Sequence, residues 1–67
     1  MLQEYEVVKL KRALPDKGLA AGATGTVLYI YRDTPLAYEV EFTDHEGRTI
    51  ALLTLGEDAL EKTGPST

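Results

Sequence analysis

The sequence has no cysteine, one histidine and one serine, and these shortages exclude several classes of function. Without cysteine there is no disulfide framework and no thiolate to act as nucleophile or metal ligand. The serine, Ser66, is the penultimate residue, and a single histidine nearly excludes both a catalytic triad and a histidine-based zinc site. We therefore predict that the chain is not an enzyme and that it carries no cofactor or metal.

Long hydrophobic runs and an excess of positive charge are also missing. No apolar run approaches the ~18 residues of a membrane span, and no basic and apolar regions typical of a secretory signal begin the chain. The 67 residues carry a net charge of −4, which disfavours general binding to nucleic acid or to an anionic membrane. We expect one cytoplasmic domain with no membrane segment.

The charge is divided unevenly along the chain. Residues 1–32 contain five basic and three acidic side chains, whereas residues 33–67 contain two basic and eight acidic ones. The acidic half opposes the dominant positive field that a nucleic-acid site needs.

Runs of β-branched, aromatic and leucine residues between turn residues predict short strands. Every residue of Thr26–Tyr31 is of these types. In Ala37–Phe42 the side chains of Tyr38, Val40 and Phe42 share one face of the strand. The five predicted strands are Tyr5–Lys11, Thr26–Tyr31, Ala37–Phe42, Arg48–Leu55 and Leu60–Thr63.

Glycine, proline and acidic residues mark the connections. Leu14–Gly18 has the composition of a turn, and Gly22 and Gly25 are expected to bracket a second tight bend. Asp44–Gly47 fits a type I turn closed by a left-handed glycine. Gly56–Leu60 is predicted to form a single helical turn, with acidic residues near its positive N-terminal end.

Five short, mostly antiparallel strands with a long connection after the first predict a small barrel, because a flat sheet of this size would expose one apolar face. The predicted fold is all-β, a small five-stranded SH3-like barrel with one short helical turn near the C-terminus. Residues 1–63 form the single domain, and residues 64–67 are expected to fray. The predicted core residues are Val8, Leu10, Leu14, Leu19, Val27, Leu28, Ile30, Tyr38, Val40, Phe42, Ile50, Leu52, Leu55 and Leu60.

The sequence offers a candidate protein-binding surface on its first two strands. If Leu28 and Ile30 face inward, Tyr29 and Tyr31 point outward. Inward-facing Val8 and Leu10 in turn leave Val7, Lys9 and Lys11 pointing outward on the neighbouring strand. Such side chains can anchor a protein contact, stack on nucleic-acid bases, or pack together with the lysine stem over the rings. All three interpretations remain open at this stage.

Glu39 and Glu41 form a candidate acidic patch on the outer face of the third predicted strand. A hydrolase would need a cleft that desolvates one carboxylate, and a cation site would need further oxygen ligands from a preformed loop. A solvated strand face and a docking patch for a basic protein are the simpler interpretations. His45 is expected to be an ordinary turn residue.

Six segments together resemble one known family of short bacterial proteins, the domain-of-unknown-function family 4926. They are Tyr5–Leu10, Leu14–Pro15, Gly18–Leu19, Gly25–Val27, Ala37–Phe42 and Ala51–Leu55. The resemblance extends from Tyr5 to Lys62 and implies an SH3-like barrel without an established activity. It also implies partnership with other small proteins, in some members through toxin–antitoxin-like gene pairs. Gly56 departs from the family pattern, which favours proline there.

These observations predict a non-enzymatic protein-interaction module that serves as an accessory or antitoxin-like, inhibitory partner of another protein. The expected partner is an unidentified protein or a second copy of the chain in a homodimer. The alternative is a nucleic-acid-binding or ribosome-associated small barrel that would use Lys9, Lys11, Arg12, Tyr29 and Tyr31.

Overall fold

The structure is a computed structural model that describes residues 1–63. Five antiparallel strands form one sheet. They are β1 (Val7–Leu10), β2 (Thr24–Tyr31), β3 (Ala37–Thr43), β4 (Thr49–Gly56) and β5 (Leu60–Lys62), and two 3-10 turns lie at Pro15–Lys17 and Glu57–Ala59. The predicted strands and the helical turn before β5 are confirmed, with ends that differ by one or two residues. The predicted tail at residues 64–67 lies outside the described residues.

The strands follow the order β4-β3-β2-β1-β5 across the sheet. A long connection separates β1 from β2, the chain then runs up and down through β4, and a 3-10 turn leads into β5 beside β1. This is the arrangement of an SH3-like barrel, and the predicted fold class is confirmed. Within residues 1–63, no helix is both long enough and apolar enough to cross a membrane.

The core lies on the inner side of the sheet and is centred on β3. Tyr38, Val40 and Phe42 are completely buried, as their alternation with glutamate predicts. Residues from every strand except β4 complete it, together with Leu2 from the N-terminal segment and Leu19 from the β1–β2 connection. The buried residues are Leu2, Val8, Leu10, Leu19, Val27, Ile30, Tyr38, Val40, Phe42 and Leu60.

β4 contributes less to the core than the sequence predicts. Ile50 and Leu52 are 46% and 53% exposed, so their assignment to the core is wrong. Leu52 lies directly opposite the outward-facing Glu41, and opposed residues of neighbouring strands share a face. Ile50 is the extra residue of a β-bulge in the β3–β4 pairing. The inward positions of β4 are Ala51, Leu53 and Leu55, which are half-buried.

A second bulge, in β2, sets the direction of the tyrosines. Val27 pairs with Val40 and Tyr29 pairs with Glu39, so Leu28 is an extra residue between them. A bulge shifts the alternation of side chains. Val27 and Ile30 can therefore both be buried although they are three residues apart, and Leu28 is half-buried rather than in the core.

Glycine is required for two different reasons in this fold. Gly47 has φ +80° in the β3–β4 hairpin, as its predicted left-handed conformation demands. The prediction that Gly25 borders a tight bend is wrong. Gly25 lies in β2, where a different constraint requires glycine. A Cβ atom at Gly25 would lie 2.7 Å from Val40 Cγ1 and 2.9 Å from the Phe42 ring. The core approaches the backbone too closely there for any side chain.

The β3–β4 hairpin is fixed by the side chain of Asp44. Its Oδ1 accepts hydrogen bonds from the backbone N–H groups of Glu46 and Arg48, both at 2.9 Å. Its Oδ2 accepts one from Arg48 Nε at 3.0 Å. These hydrogen bonds hold the pKa of Asp44 below its ordinary value, and the one from the Arg48 backbone N–H contributes most.

Substitution of the two glycines should separate these constraints. We expect Gly25→Ala to lower the free energy of unfolding by about 1–3 kcal/mol, because it overpacks a filled core. Gly47→Asn should lower it less, by no more than about 1 kcal/mol, because a positive φ strains every side chain but asparagine least, and the surrounding space is open. Urea denaturation measures both values. Equal losses would contradict the close approach at Gly25.

The two faces of β3 should also differ in their contribution to stability. Val40→Ala should cost about 1–3 kcal/mol because it truncates a fully buried aliphatic side chain. Glu39→Ala should cost no more than about 0.5 kcal/mol because its contacts are exposed to solvent. A denaturant melt in which Glu39→Ala is the more damaging change would show that the strand is assigned to the wrong face.

Candidate protein-interaction face

Tyr29 and Tyr31 lie side by side on the outer face of β2. They are 53% and 39% exposed. Their rings meet edge to face, with centroids 5.0 Å apart and planes inclined by 68°, a favoured geometry for aromatic pairs. The structure therefore presents the two tyrosines as a paired aromatic surface on β2.

Glu39 connects these tyrosines to β4. It lies opposite Tyr29 on one neighbouring strand and opposite Thr54 on the other. Its Oε1 accepts hydrogen bonds from the Tyr31 hydroxyl at 3.3 Å and from Thr54 Oγ1 at 2.7 Å. The aromatic and acidic candidates, which the sequence suggests as separate surfaces, thus belong to one face.

Glu41 occupies the next outward position of β3. It lies opposite Thr26 of β2 and Leu52 of β4, and it accepts a hydrogen bond from the hydroxyl of Thr49. We call the resulting surface the tyrosine–glutamate face. It consists of Tyr29, Tyr31, Glu39, Glu41, Leu52 and Thr54.

Leu52, which is predicted to be a core residue, and Thr54 also belong to this surface. Their spacing contains the relevant signal, because they alternate with Ala51, Leu53 and Leu55 along β4. Both sets are largely apolar, however, so periodicity alone does not show which set faces inward. The pairing with Glu39 and Glu41 decides it.

The structure separates Lys9 from the tyrosines. Lys9 lies opposite Thr24 on β2 and opposite Glu61 on β5. Thr24 and Tyr29 are five positions apart on β2, but Leu28 is an extra residue, so they are separated by four steps of the ladder, roughly 13 Å. Val7, which is 44% exposed, lies opposite Thr26 and so borders the tyrosine–glutamate face next to Glu41. Of the four candidates on the first two strands, only Lys9 is remote from this face.

The carboxylates of this face have no basic partner among the described residues. The ion pairs within residues 1–63 join the Met1 ammonium to Glu57, Arg48 to Asp44 and Glu46, and Lys62 to Glu6. None of them includes Glu39 or Glu41. The pKa of Tyr31 is raised, first by loss of hydration and then by the negative charge and hydrogen bond of Glu39. The face is therefore a source of uncompensated negative charge.

Two grooves of residues 1–63 lie away from this face: one of about 570 Å³ is lined mainly by residues 1–5, and another of about 340 Å³ lies between Leu14 and Ala59. A third, of about 550 Å³, lies beyond Glu41 and is lined by Thr24, Thr43, Asp44, His45 and Ile50. Small-molecule sites are typically concave, whereas the tyrosine–glutamate face is the outward side of a sheet. In residues 1–63 no group of three or more histidine and acidic side chains could hold a metal ion. His45 is exposed in the hairpin turn.

Glu39 should control the ionisation of Tyr31. We expect Glu39→Gln to lower the pKa of Tyr31. The substitution removes the neighbouring negative charge, and it replaces the carboxylate that accepts the phenol proton with a weaker acceptor. The pKa is measured by following the Tyr31 ring resonances through an alkaline NMR titration. Glu41→Gln is the matched control, since it removes the same charge from the same strand without a hydrogen bond to Tyr31. An unchanged Tyr31 pKa in Glu39→Gln would contradict the contact.

Comparison with known proteins places the chain in a family. No curated protein and no solved structure matches it. The family model described as Domain of unknown function (DUF4926) matches residues 4–62. This range contains all five strands and the whole tyrosine–glutamate face. The chain therefore belongs to the DUF4926 family of domains of unknown function.

Proposed function

We propose that the chain is a non-enzymatic protein-interaction module that docks a basic, partly apolar surface of another protein on its tyrosine–glutamate face. In this role it acts as an accessory or antitoxin-like, inhibitory partner. The observation that carries the proposal is that Glu39 and Glu41, which have no basic partner within residues 1–63, lie between the exposed rings of Tyr29 and Tyr31 and the exposed Leu52.

The tyrosines supply the anchoring part of such a contact. Tyrosine is enriched among the residues that dominate binding energy, and it offers a large surface at a low cost in rotamer entropy. Tyr31 is further restrained by its hydrogen bond to Glu39 and by its edge-to-face contact with Tyr29. This arrangement needs little ordering when a partner binds.

The carboxylates supply the selectivity. Glu39 and Glu41 attract lysine and arginine, and the net charge of −4 extends that attraction over a longer range. The aliphatic stems of those residues can lie along the tyrosine rings, with their charged groups toward the carboxylates. A basic partner surface is therefore favoured over a neutral or acidic one.

The alternative function is a nucleic-acid-binding or ribosome-associated barrel. It requires basic side chains close to the stacking aromatics. Here the aromatics are next to carboxylates, and Lys9 is next to Glu61. These contacts favour the protein-binding function. The cytoplasmic location and the absence of enzymatic activity remain predictions.

Co-purification from the native host at low salt tests the proposal. The wild type should retain a partner that both double variants lose. Tyr29→Ala/Tyr31→Ala removes the aromatic anchors, and Glu39→Gln/Glu41→Gln removes the negative charge that attracts the partner. Tyr5→Ala is the matched control, since Tyr5 is 72% exposed but lies before β1, outside the face. It should bind like the wild type, and circular dichroism should show that all variants are folded.

Titration with RNA and DNA across salt concentrations separates the two functions. We expect weak binding that does not depend on Tyr29 and Tyr31. Tight, strongly salt-dependent binding that is abolished by removing Lys9 and Lys11 would overturn the proposal in favour of the alternative. Retention of the partner by both double variants would also overturn it.

A further inference from the structure

The two edges of the sheet are built very differently. β5 is three residues long, and two of these, Glu61 and Lys62, are charged. β4 is eight residues long and contains neither a charged residue nor proline. In the described part of the chain it pairs only with β3.

Natural proteins protect edge strands with charge, proline, bulges or shortness, because the unpaired backbone groups otherwise pair with another chain. The bulge at Ile50 is the only such feature of β4, and it lies near the beginning of the strand. Beyond it, Ala51–Leu55 forms a regular, uncharged edge. We propose that this edge pairs antiparallel with β4 of a second copy of the chain, which joins the two sheets into one.

The strand is compatible with itself in this arrangement. A two-fold axis at Leu52 places Ala51 of one copy beside Leu53 of the other, and both residues lie on the inward face. The two Leu52 side chains, each 53% exposed, then lie directly opposite one another. Because no residue of β4 is charged, no like charges are opposed along the new pair.

The position of the carboxylates favours the edge over the face for a second copy. Edge pairing puts three strand spacings, about 14 Å, between the two β3 strands that carry Glu39 and Glu41. That separation exceeds the Debye length of about 8 Å. Packing the two tyrosine–glutamate faces together would instead bring four unpaired carboxylates into one poorly hydrated interface, where screening is weak. Edge pairing also leaves the tyrosines and glutamates of both faces free for a different protein.

Sedimentation equilibrium of the full chain, from micromolar to millimolar concentration, tests the inference. The wild type should form a dimer, and Leu52→Lys should weaken it by on the order of tenfold or more, because it opposes two like charges. Val7→Lys is the matched control. Val7 is 44% exposed, but β1 is paired on both sides. The Val7→Lys variant should dimerise as strongly as the wild type.

Amide hydrogen exchange gives a second measurement that requires no variant. Amides of Ala51–Leu55 should exchange more slowly as the protein concentration rises, whereas those of β5 should not change. A wild type that remains monomeric at millimolar concentration would overturn the inference. So would a dimer that Leu52→Lys leaves intact, or one that Tyr29→Ala/Tyr31→Ala dissolves. Loss of partner binding in the tyrosine variant with an intact dimer supports both proposals separately.

Discussion

The strict alternation along β3 is the constraint on which the rest of the structure depends. Tyr38, Val40 and Phe42 are completely buried on one side, and Glu39 and Glu41 are held on the other. A slip of one residue would put both carboxylates into the core. Because β3 pairs with β2 and β4, this single register also decides which residues of those strands face outward.

Tyr38 extends the influence of β3 beyond the sheet. Its hydroxyl donates to Glu57 Oε1 and accepts from the Leu2 backbone N–H, each at 3.2 Å. The second 3-10 turn and the N-terminal segment are thereby attached to β3, and burial raises the pKa of Tyr38. The polar end of the largest core residue is thus satisfied, as a buried polar group must be.

The sequence predicts what depends on local chemistry. Alternation in β3 and the turn chemistry at Asp44 are local, and they predict the strand and the hairpin. The features that the sequence does not predict depend on pairing between strands. The bulge at Leu28, the exposed Leu52 and the distance between Lys9 and Tyr29 are all consequences of register. Register is set by contacts between residues far apart in sequence, so composition and periodicity do not contain it.

The same register brings together two groups of residues that look unrelated in the sequence. The tyrosines of β2 and the glutamates of β3 form one surface, joined by the hydrogen bond from Tyr31 to Glu39. The inner side of β3 maintains the fold, and its outer side leaves charge and aromatic area for a partner. Chemical-shift mapping of the labelled chain with its purified partner tests this division most directly. The account predicts that the shifts concentrate on Tyr29, Tyr31, Glu39 and Glu41. Shifts centred on Lys9 and Lys11, with the tyrosine–glutamate face unaffected, would contradict it.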